Sequence, residues 1–433
     1  MKKILSTTAI ILSAVLFSYA QDNTKGFYKD IFMDSGIMLT SRTDLPVTEV
    51  LNLTMEAFVS TKHSYTEKYK FTAMDTVRQH DLIVGSAIDE NGILLYPDGQ
   101  PRFRMVYMNG GRAGGHGKSL GEEGRQALRN YVNAGGSYLG SCAGAFVASL
   151  GSRKQDGTIV QAHNYIGLWP GNTSSTGLEK SYTAVDIVKK GALSDYYEYG
   201  GRTHIDSVRH NGGCFAYMET APEGTEVLAT YSTKGRELKR DIDGLPCVWA
   251  YKASGSTGRV ILCGSHPEGA PDADNIALMS AMVRYAMAGT AAPLLKGTLE
   301  NGVPREMKAK TSENDPEHTR IGDRQYHHFR IDVPKGTSKI TIELQDVLGY
   351  KDFDLYLFAA RSKFAYSDTA TWCFVGEGAS KKLEIFEPKA GTYYISVFCA
   401  TTVTSTMGRY GVEYSGRTDV LNGVPYVISA SFE

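Results

Sequence analysis

The stretch that decides the fold is Gly136–Ser149, which reads GSYLGSCAGAFVAS. Apolar residues lead into Gly140, a thiol follows at Cys142, and a second glycine stands at Gly144 before a run of small helix-forming residues. This spacing predicts a tight strand-to-helix turn with a nucleophile at its tip, because glycine on each side makes room for the strained backbone of the nucleophile. The free N–H groups and the dipole at the start of the next helix would then stabilise a thiolate at Cys142.

Strands and helices alternate on both sides of this turn. The predicted strands outside it are 30–39, 103–108, 158–161, 167–169, 226–231, 247–251 and a run from 258 that ends in the charged turn 266–268. The predicted helices are 47–59, 119–134 and 273–288, and Ser119 with Glu122 forms a possible capping box for the second. Such alternation predicts an α/β fold with a parallel sheet and covering helices.

The composition and the hydrophobic periodicity of the sequence change after residue 290. Residues 291–320 lose the periodicity and gather Pro, Gly, Lys, Glu and Asn, which predicts a linker between the domain at 21–290 and a domain at 321–433. Short alternating segments then follow, with turns between them and no helical pattern. This spacing predicts a C-terminal all-β sandwich.

Length and charge limit the classes of function. A chain of 433 residues is long enough for two or three domains, and 42% hydrophobic residues can bury real cores. The formal net charge is −1 and no basic stripe is present, which disfavours nucleic acid or an anionic membrane surface as a partner.

The first twenty residues have the features of a signal peptide. Lys2 and Lys3 precede an apolar run, and Ser18-Tyr19-Ala20 supplies small residues at the positions before a cleavage site. We therefore expect residues 1–20 to be removed on export and the mature protein to be secreted or periplasmic, with no membrane span.

Six cysteines are spread thinly over the chain, at 142, 214, 247, 263, 373 and 399. A bond between Cys373 and Cys399 stays open, because sequence alone does not fix connectivity. Three further cysteines are expected to be free, buried core residues, namely Cys214, Cys247 and Cys263.

A cysteine nucleophile needs a base, a group that orients the base, and donors for an oxyanion. His266 follows a predicted parallel strand at the edge of the sheet where ligands bind, and Glu268 stands two residues further on, so these two fit the base and its orienting group. Backbone N–H groups of Gly111 and Ala143 fit the oxyanion donors. Three separate predicted strands are followed by Gly111, Cys142 and His266 respectively. We therefore expect these three residues to lie together at one edge of the sheet.

At these residues the sequence resembles the class I glutamine amidotransferase-like superfamily. The matching motifs are an early Gly-Gly turn, a G-x-C-x-G turn and a later His-Pro-Glu, which stand here at 109–111, 140–144 and 266–268. The segments 136–144, 167–171, 210–215 and 228–231 resemble most closely the amidotransferase-like domain at the N-terminus of some biotin-protein ligases. The resemblance covers about residues 27–290 and implies a flavodoxin-like sheet with a Cys-His-Glu triad.

The resemblance also bears on the rest of the chain. In the resembled domain the turn after His210 lies near the active-site cleft, which implies a substrate-binding role for Asn211 and Gly212 beside Gly110. Residues 321 to about 415 are similar to the bacterial pre-peptidase C-terminal sandwich, with Gln325–Phe329 and Asp352–Leu357 carrying the likeness. Such modules accompany secreted hydrolases, especially peptidases.

Three functions follow as hypotheses. The first is a secreted thiol hydrolase of amide or peptide bonds that needs no cofactor and no metal. The second is a non-catalytic binding protein on the same scaffold, whose C-terminal sandwich attaches to a surface or polymer. The third is a glutaminase that feeds ammonia to a partner, although an exported chain without a synthetase domain has no evident use for ammonia. His204, Asp206, His210 and Cys214 match no zinc-binding pattern.

Overall fold

The structure is a computed structural model that describes residues 25–34, 45–58, 80–196, 199–270, 272–310, 315–347, 353–408 and 411–433. The predicted signal peptide at 1–20 lies outside these residues.

Strands and helices of the first part are interleaved. The strands are β1 (Lys29–Asp34), β2 (Met55–Phe58), β3 (Phe103–Met108), β4 (Ser137–Ser141), β5 (Gly151–Arg153), β6 (Ile159–Gln161), β7 (Asn172–Ser175), β8 (Ser181–Ile187), β9 (His204–His210), β10 (Cys214–Tyr217), β11 (Glu226–Ser232), β12 (Pro246–Tyr251) and β13 (Val260–Cys263). The helices are α1 (Val47–Leu51), α2 (Ala113–Asn133), α3 (Ala143–Val147), α4 (Ala192–Tyr196) and α5 (Ala273–Met287).

The C-terminal part is built from strands. They are β14 (Leu295–Thr298), β15 (Arg305–Met307), β16 (Tyr326–Val333), β17 (Lys339–Asp346), β18 (Leu355–Arg361), β19 (Trp372–Phe374), β20 (Lys381–Phe386), β21 (Gly391–Cys399), β22 (Thr404–Gly408), β23 (Gly411–Ser415) and β24 (Tyr426–Phe432).

Five neighbouring parallel strands form the centre of the large sheet, in the order β2-β1-β3-β4-β13. This is the order of a flavodoxin-like sheet, and β12, β11, β8 and β9 extend it in antiparallel fashion. The register pairs Met108 with Gly140 and Ser141 with Cys263, so β3, β4 and β13 end at the same edge. The α/β fold class predicted from the sequence is confirmed.

Both faces of the large sheet are covered. On β3, Val106 and Met108 face a core that includes α2, whereas Met105 and Tyr107 face a second core that includes α5. This alternation is expected of a strand with period two, and burial on both faces explains the nearly continuous apolar sequence of the strand.

Two predicted helices differ from the structure. The helix expected at 47–59 is instead α1 followed by β2, because Asn52 adopts a left-handed conformation (φ 51°, ψ 51°) that ends the helix. The helix expected from Ser119 begins at Ala113. Ser119 lies inside it and donates to the His116 carbonyl at 2.8 Å, so the capping box does not form, and Gly121 (φ 64°, ψ −177°) interrupts the helix instead.

The segment expected to be a linker belongs to the C-terminal sheets. Strand β14 pairs with β16, and β15 pairs with β24, so 291–320 is structured where it is described. The two C-terminal sheets have the orders β14-β16-β21-β18-β19 and β15-β24-β17-β20, which confirms the predicted all-β part. The predicted strand 167–169 is irregular backbone in which Trp169 packs against Trp249, with ring centroids 5.4 Å apart.

One hairpin crosses between the two parts. Strands β22 and β23 pair with each other, and Gly411 of β23 pairs with Phe58 of β2, so the hairpin lies at the edge of the large sheet. Tyr414 donates to Glu56 at 2.6 Å. The C-terminal region therefore completes a sheet whose other strands come from the first part.

Candidate functional site

Cys142 lies at the tip of a strained turn between β4 and α3. Its backbone has φ 47° and ψ −103°, outside the usual regions for a residue with a side chain. The flanking glycines make the turn possible: a Cβ on Gly140 would stand 2.6 Å from Gly144 backbone, and a Cβ on Gly144 would stand 2.1 Å from the Met108 carbonyl oxygen. The predicted role of the two glycines follows from these close approaches.

The Cys142 backbone is fixed by its neighbours in the sheet. Its N–H donates to the Cys263 carbonyl at 2.8 Å, and its carbonyl accepts from Phe146 N–H at 3.0 Å. The residue is 6% exposed, whereas Cys214, Cys247 and Cys263 are fully buried. All six cysteines are free thiols, so the bond left open between Cys373 and Cys399 is not formed.

His266 and Glu268 meet beside the thiol. The His266 ring nitrogen Nδ1 and Glu268 Oε1 are 2.9 Å apart, and both side chains are about seven-eighths buried. A short 3₁₀ turn at Pro267–Gly269 brings the carboxylate back to the ring, and the His266 N–H donates to the Arg209 carbonyl at 2.8 Å. The Cys142 thiol is among the groups whose proximity raises the pKa of His266, so the thiol lies close to the imidazole.

These contacts set the charge of the imidazole. Burial lowers the pKa of His266, but the Glu268 carboxylate and the nearby Cys142 side chain raise it by more, to about 10 from the usual 6.5. The imidazolium form is therefore favoured at neutral pH, as expected for a histidine that is held by a carboxylate.

The glycine turn after β3 packs directly on this histidine. A Cβ on Gly110 would lie 2.1 Å from His266 Cε1, so only glycine fits against the ring. Gly111 has φ 148°, and Ala143 is the first residue of α3, where the backbone N–H has no partner within the helix. The structure thus brings both predicted oxyanion donors to the edge that carries Cys142.

Asn211 and Gly212 lie in the turn between β9 and β10. The Gly212 carbonyl accepts from the Thr176 hydroxyl at 3.0 Å, and a Cβ on Gly213 would stand 2.2 Å from the Gly264 carbonyl oxygen. The turn therefore packs against the end of the strand that leads to His266. Asn211 itself is exposed.

Two residues that sequence reasoning missed contact Glu268. The Ser141 hydroxyl donates to Glu268 Oε1 at 2.9 Å, and the Tyr107 hydroxyl lies 3.0 Å from Ser141 Oγ. Ser141 is the residue before the nucleophile, so the turn motif contains it, but nothing in the motif tells where its hydroxyl points. Tyr107 stands near the end of the apolar run of β3, where its side chain is expected to be an ordinary core residue.

Two buried histidines also border the site. The pKa of His116 is lowered to about 4 by burial, against opposing hydrogen bonds from the backbone of Gly110 and Asn109. The pKa of His210 is lowered to about 3 by burial and then by the charge of His266. Both rings are therefore neutral at physiological pH, and they add bulk rather than charge around the site.

The expected helix dipole is weaker than predicted. Helix α3 has only five residues, Ala143–Val147, so few peptide dipoles align behind the thiol.

The fold and the site define an α/β protein with a cysteine at a strand-to-helix turn, faced by a histidine and a carboxylate. Residues 86–288 match the family model described as "Biotin-protein ligase, N terminal", and residues 325–398 match that of the "Bacterial pre-peptidase C-terminal domain". The resemblance inferred from the sequence is confirmed by these two matches.

The chain is also similar to individual proteins. An uncharacterized protein of Chlamydia muridarum is 30% identical over 155 residues, which cover 34% of this chain, and the chain spans only about half (54%) of that relative. A crystal structure of a glutamine amidotransferase is 15% identical, with 59% of this chain and 98% of that chain covered and a TM-score of 0.35. The pre-peptidase C-terminal domain of a Bacillus anthracis collagenase is 11% identical, with 32% and 99% covered and a TM-score of 0.19.

Two further features concern the described part of the chain only. None of its helices is long and apolar enough to cross a membrane. Within the same ranges, no group of three His, Cys, Asp or Glu side chains is arranged to hold a metal ion.

Proposed function

We propose that the protein is an exported thiol hydrolase that cleaves amide or peptide bonds. The observation that carries the proposal is the placement of Cys142, His266 and Glu268 together at the carboxyl edge of the parallel sheet, with 2.9 Å between His266 Nδ1 and Glu268 Oε1. Ligands bind at this edge in open α/β sheets.

In the proposed mechanism, His266 holds the proton that the Cys142 thiol has given up, and the thiolate sulfur attacks the substrate carbonyl carbon. The oxyanion of the tetrahedral intermediate accepts hydrogen bonds from the N–H groups of Gly111 and Ala143. His266 then gives its proton to the leaving nitrogen as the C–N bond breaks, which leaves a thioester on Cys142. Water attacks the thioester with His266 as base, the acid product departs, and the Cys142 thiolate beside protonated His266 is restored.

Glu268 keeps the imidazole in the productive orientation throughout. Its Oε1 holds Nδ1, so Nε2 faces the thiol and the substrate. The carboxylate also stabilises the imidazolium that forms after proton transfer, the role of the third member in such triads. Asn211, Gly212 and Gly110 are proposed to line the path of the substrate.

Export and the C-terminal part extend the proposal. The predicted signal peptide at 1–20 and the match to a pre-peptidase C-terminal domain support a secreted or periplasmic enzyme. A hydrolase that works outside the cytoplasm on peptides or small amides would then use its C-terminal part to bind a surface or polymer.

A library of peptides and small amides, with free glutamine included, tests this proposal. We expect Cys142→Ala to abolish turnover, with an unchanged melting temperature, because the thiol is the nucleophile. Cys373→Ser is the matched control. Cys373 is exposed and lies on β19 of the C-terminal part, so its replacement should leave turnover intact.

Mass spectrometry of proteolytic peptides gives a second readout. Iodoacetamide should modify the peptide with Cys142 faster than those with the fully buried Cys214, Cys247 and Cys263. An active Cys142→Ala variant would exclude the mechanism. Hydrolysis of glutamine alone would instead support the glutaminase hypothesis.

A further inference from the structure

A chain of hydroxyl groups reaches the same carboxylate oxygen of Glu268 that binds His266. Ser141 is the last residue of β4, and its hydroxyl donates to Glu268 Oε1 at 2.9 Å. Tyr107 of β3 pairs with Leu139, so its ring lies on the same face of the sheet as Ser141, two residues further along β4. The Tyr107 hydroxyl reaches Ser141 Oγ at 3.0 Å.

The chemistry of these groups fixes the direction of every hydrogen bond. An ionised carboxylate only accepts, so Ser141 must donate its single hydroxyl proton to Glu268. The Ser141 oxygen can then only accept from Tyr107, whose phenol supplies the proton. Oε1 of Glu268 therefore receives two donors, the Ser141 hydroxyl and the Nδ1–H of His266, both at 2.9 Å.

Both hydroxyl groups are shielded from water. Tyr107 is fully buried and Ser141 is 1% exposed. Hydrogen bonds in such surroundings polarise one another, and each lost partner leaves a buried polar group unpaired. The arrangement is therefore more than a surface contact that water could replace.

We propose that Ser141 and Tyr107 are positioning residues, which fix the Glu268 carboxylate so that it holds His266 toward Cys142. The inference deepens the proposed function and rests on Cys142 being the reactive thiol. Neither hydroxyl touches the substrate in this scheme. Their effect passes through Glu268 to the charge and orientation of the imidazole.

The rate at which iodoacetamide alkylates Cys142, followed over acidic to alkaline pH by peptide mass spectrometry, tests the proposal without knowledge of the substrate. In Ser141→Ala, a less firmly held Glu268 stabilises the imidazolium less, so the thiolate forms at higher pH. We expect the acidic limb of the rate profile to move upward by roughly half a pH unit, or about threefold in the equilibrium constant, the scale of one hydrogen bond.

Tyr107→Phe supplies a second, independent variant. It should move the limb in the same direction by less, and its effect should be smaller in a Ser141→Ala background than in the wild type, because Tyr107 acts on Glu268 partly through Ser141 and partly directly. Matched controls are Ser280→Ala on α5 and Tyr131→Phe on α2, two buried hydroxyl residues that do not contact Glu268. Both controls should keep the wild-type profile.

The outcomes separate this inference from the proposed hydrolysis. Profiles of Ser141→Ala and Tyr107→Phe that coincide with wild type would overturn the positioning role, even if hydrolysis depends on Cys142. Additive shifts in the double variant would overturn the order of the chain. A shifted limb in a protein that hydrolyses nothing in the library would leave the positioning role standing and remove the proposed function.

Discussion

At the scale of single residues, Glu268 is the group that sets the charge of the site. Burial alone would lower the pKa of His266, and the carboxylate is the largest influence that raises it. The imidazolium therefore depends on a neighbour two residues away in the chain. Replacement of Glu268 should therefore change how the stability of the protein, as well as its reactivity, depends on pH.

We expect Glu268→Gln to lose stability at neutral pH and much less near pH 10. A histidine whose pKa is raised from 6.5 to about 10 on folding stabilises the protein fully below pH 6.5, and that contribution disappears as pH rises through 10. The variant lacks this contribution, so its free energy of unfolding should approach that of wild type in alkaline solution.

Urea unfolding at neutral pH and near pH 10 measures the difference. Glu237→Gln is the matched control, because Glu237 is exposed, and it should behave as wild type at both pH values. An equal loss for Glu268→Gln at the two pH values would mean that the carboxylate does not act through the charge of His266.

At the scale of elements, the turn after β3 is the part of the site that tolerates least change. The carbon atom added by Gly110→Ala would lie 2.1 Å from His266 Cε1, a contact that no packing allows. The His266 ring must then leave its position beside Glu268 and Cys142. We expect hydrolysis and Cys142 alkylation to fall by about a hundredfold, because misplacement of a catalytic group by about 1 Å costs on that order.

Gly255→Ala is the control for this turn. Gly255 has nothing within 4 Å of an added carbon, so its rates should match wild type. Circular dichroism should show both variants folded, since the atoms that an added carbon at Gly110 would meet belong to a side chain and not to the backbone. Unchanged alkylation in folded Gly110→Ala would show that His266 does not control the reactivity of Cys142.

The elements also show what the sequence could and could not predict. Strand β3, the cysteine turn and the His-Pro-Glu turn have local signals, an apolar run or a fixed glycine spacing, and the structure has them where expected. Helix α2 begins six residues before Ser119, within Ala113–Lys118, because a glycine-rich segment buried against the sheet can be helical despite low propensity.

Contacts between distant elements left no local signal. The Ser141 and Tyr107 chain depends on the register of β3 against β4, which propensity does not reveal. The strands at 295–298 and 305–307 look like a linker in composition, but they gain their hydrogen bonds from β16 and β24, far along the chain. Tertiary partners decide such segments.

At the scale of the whole molecule, the two parts share a buried ion cluster. Arg102, just before β3, bonds Asp323 of the C-terminal part at 3.0 Å and lies 3.6 Å from Asp89. The Arg102 and Asp323 side chains are almost completely buried. One hydrophobic core also includes residues of both parts, among them Tyr96 and Ile321.

This continuity predicts that the protein unfolds as one unit, so calorimetry should give a single transition. Asp323→Asn removes a charged partner of the buried Arg102, and we expect it to lower the midpoint of that transition. The free energy of unfolding should fall by about 3–5 kcal/mol. Asp206→Asn, with a side chain 87% exposed, should change the free energy of unfolding by less than about 0.5 kcal/mol.

Tryptophan fluorescence can follow the two parts separately. Trp169 and Trp249 lie in the α/β part, and Trp372 lies in β19 of the sandwich, so Trp372→Phe restricts the signal to the first part. If the parts are coupled, Asp323→Asn in this background shifts the fluorescence transition by as much as the calorimetric one. Two calorimetric transitions, of which Asp323→Asn moves only one, would mean that the sandwich is an independent module and that the β22–β23 hairpin contributes little to the sheet it joins.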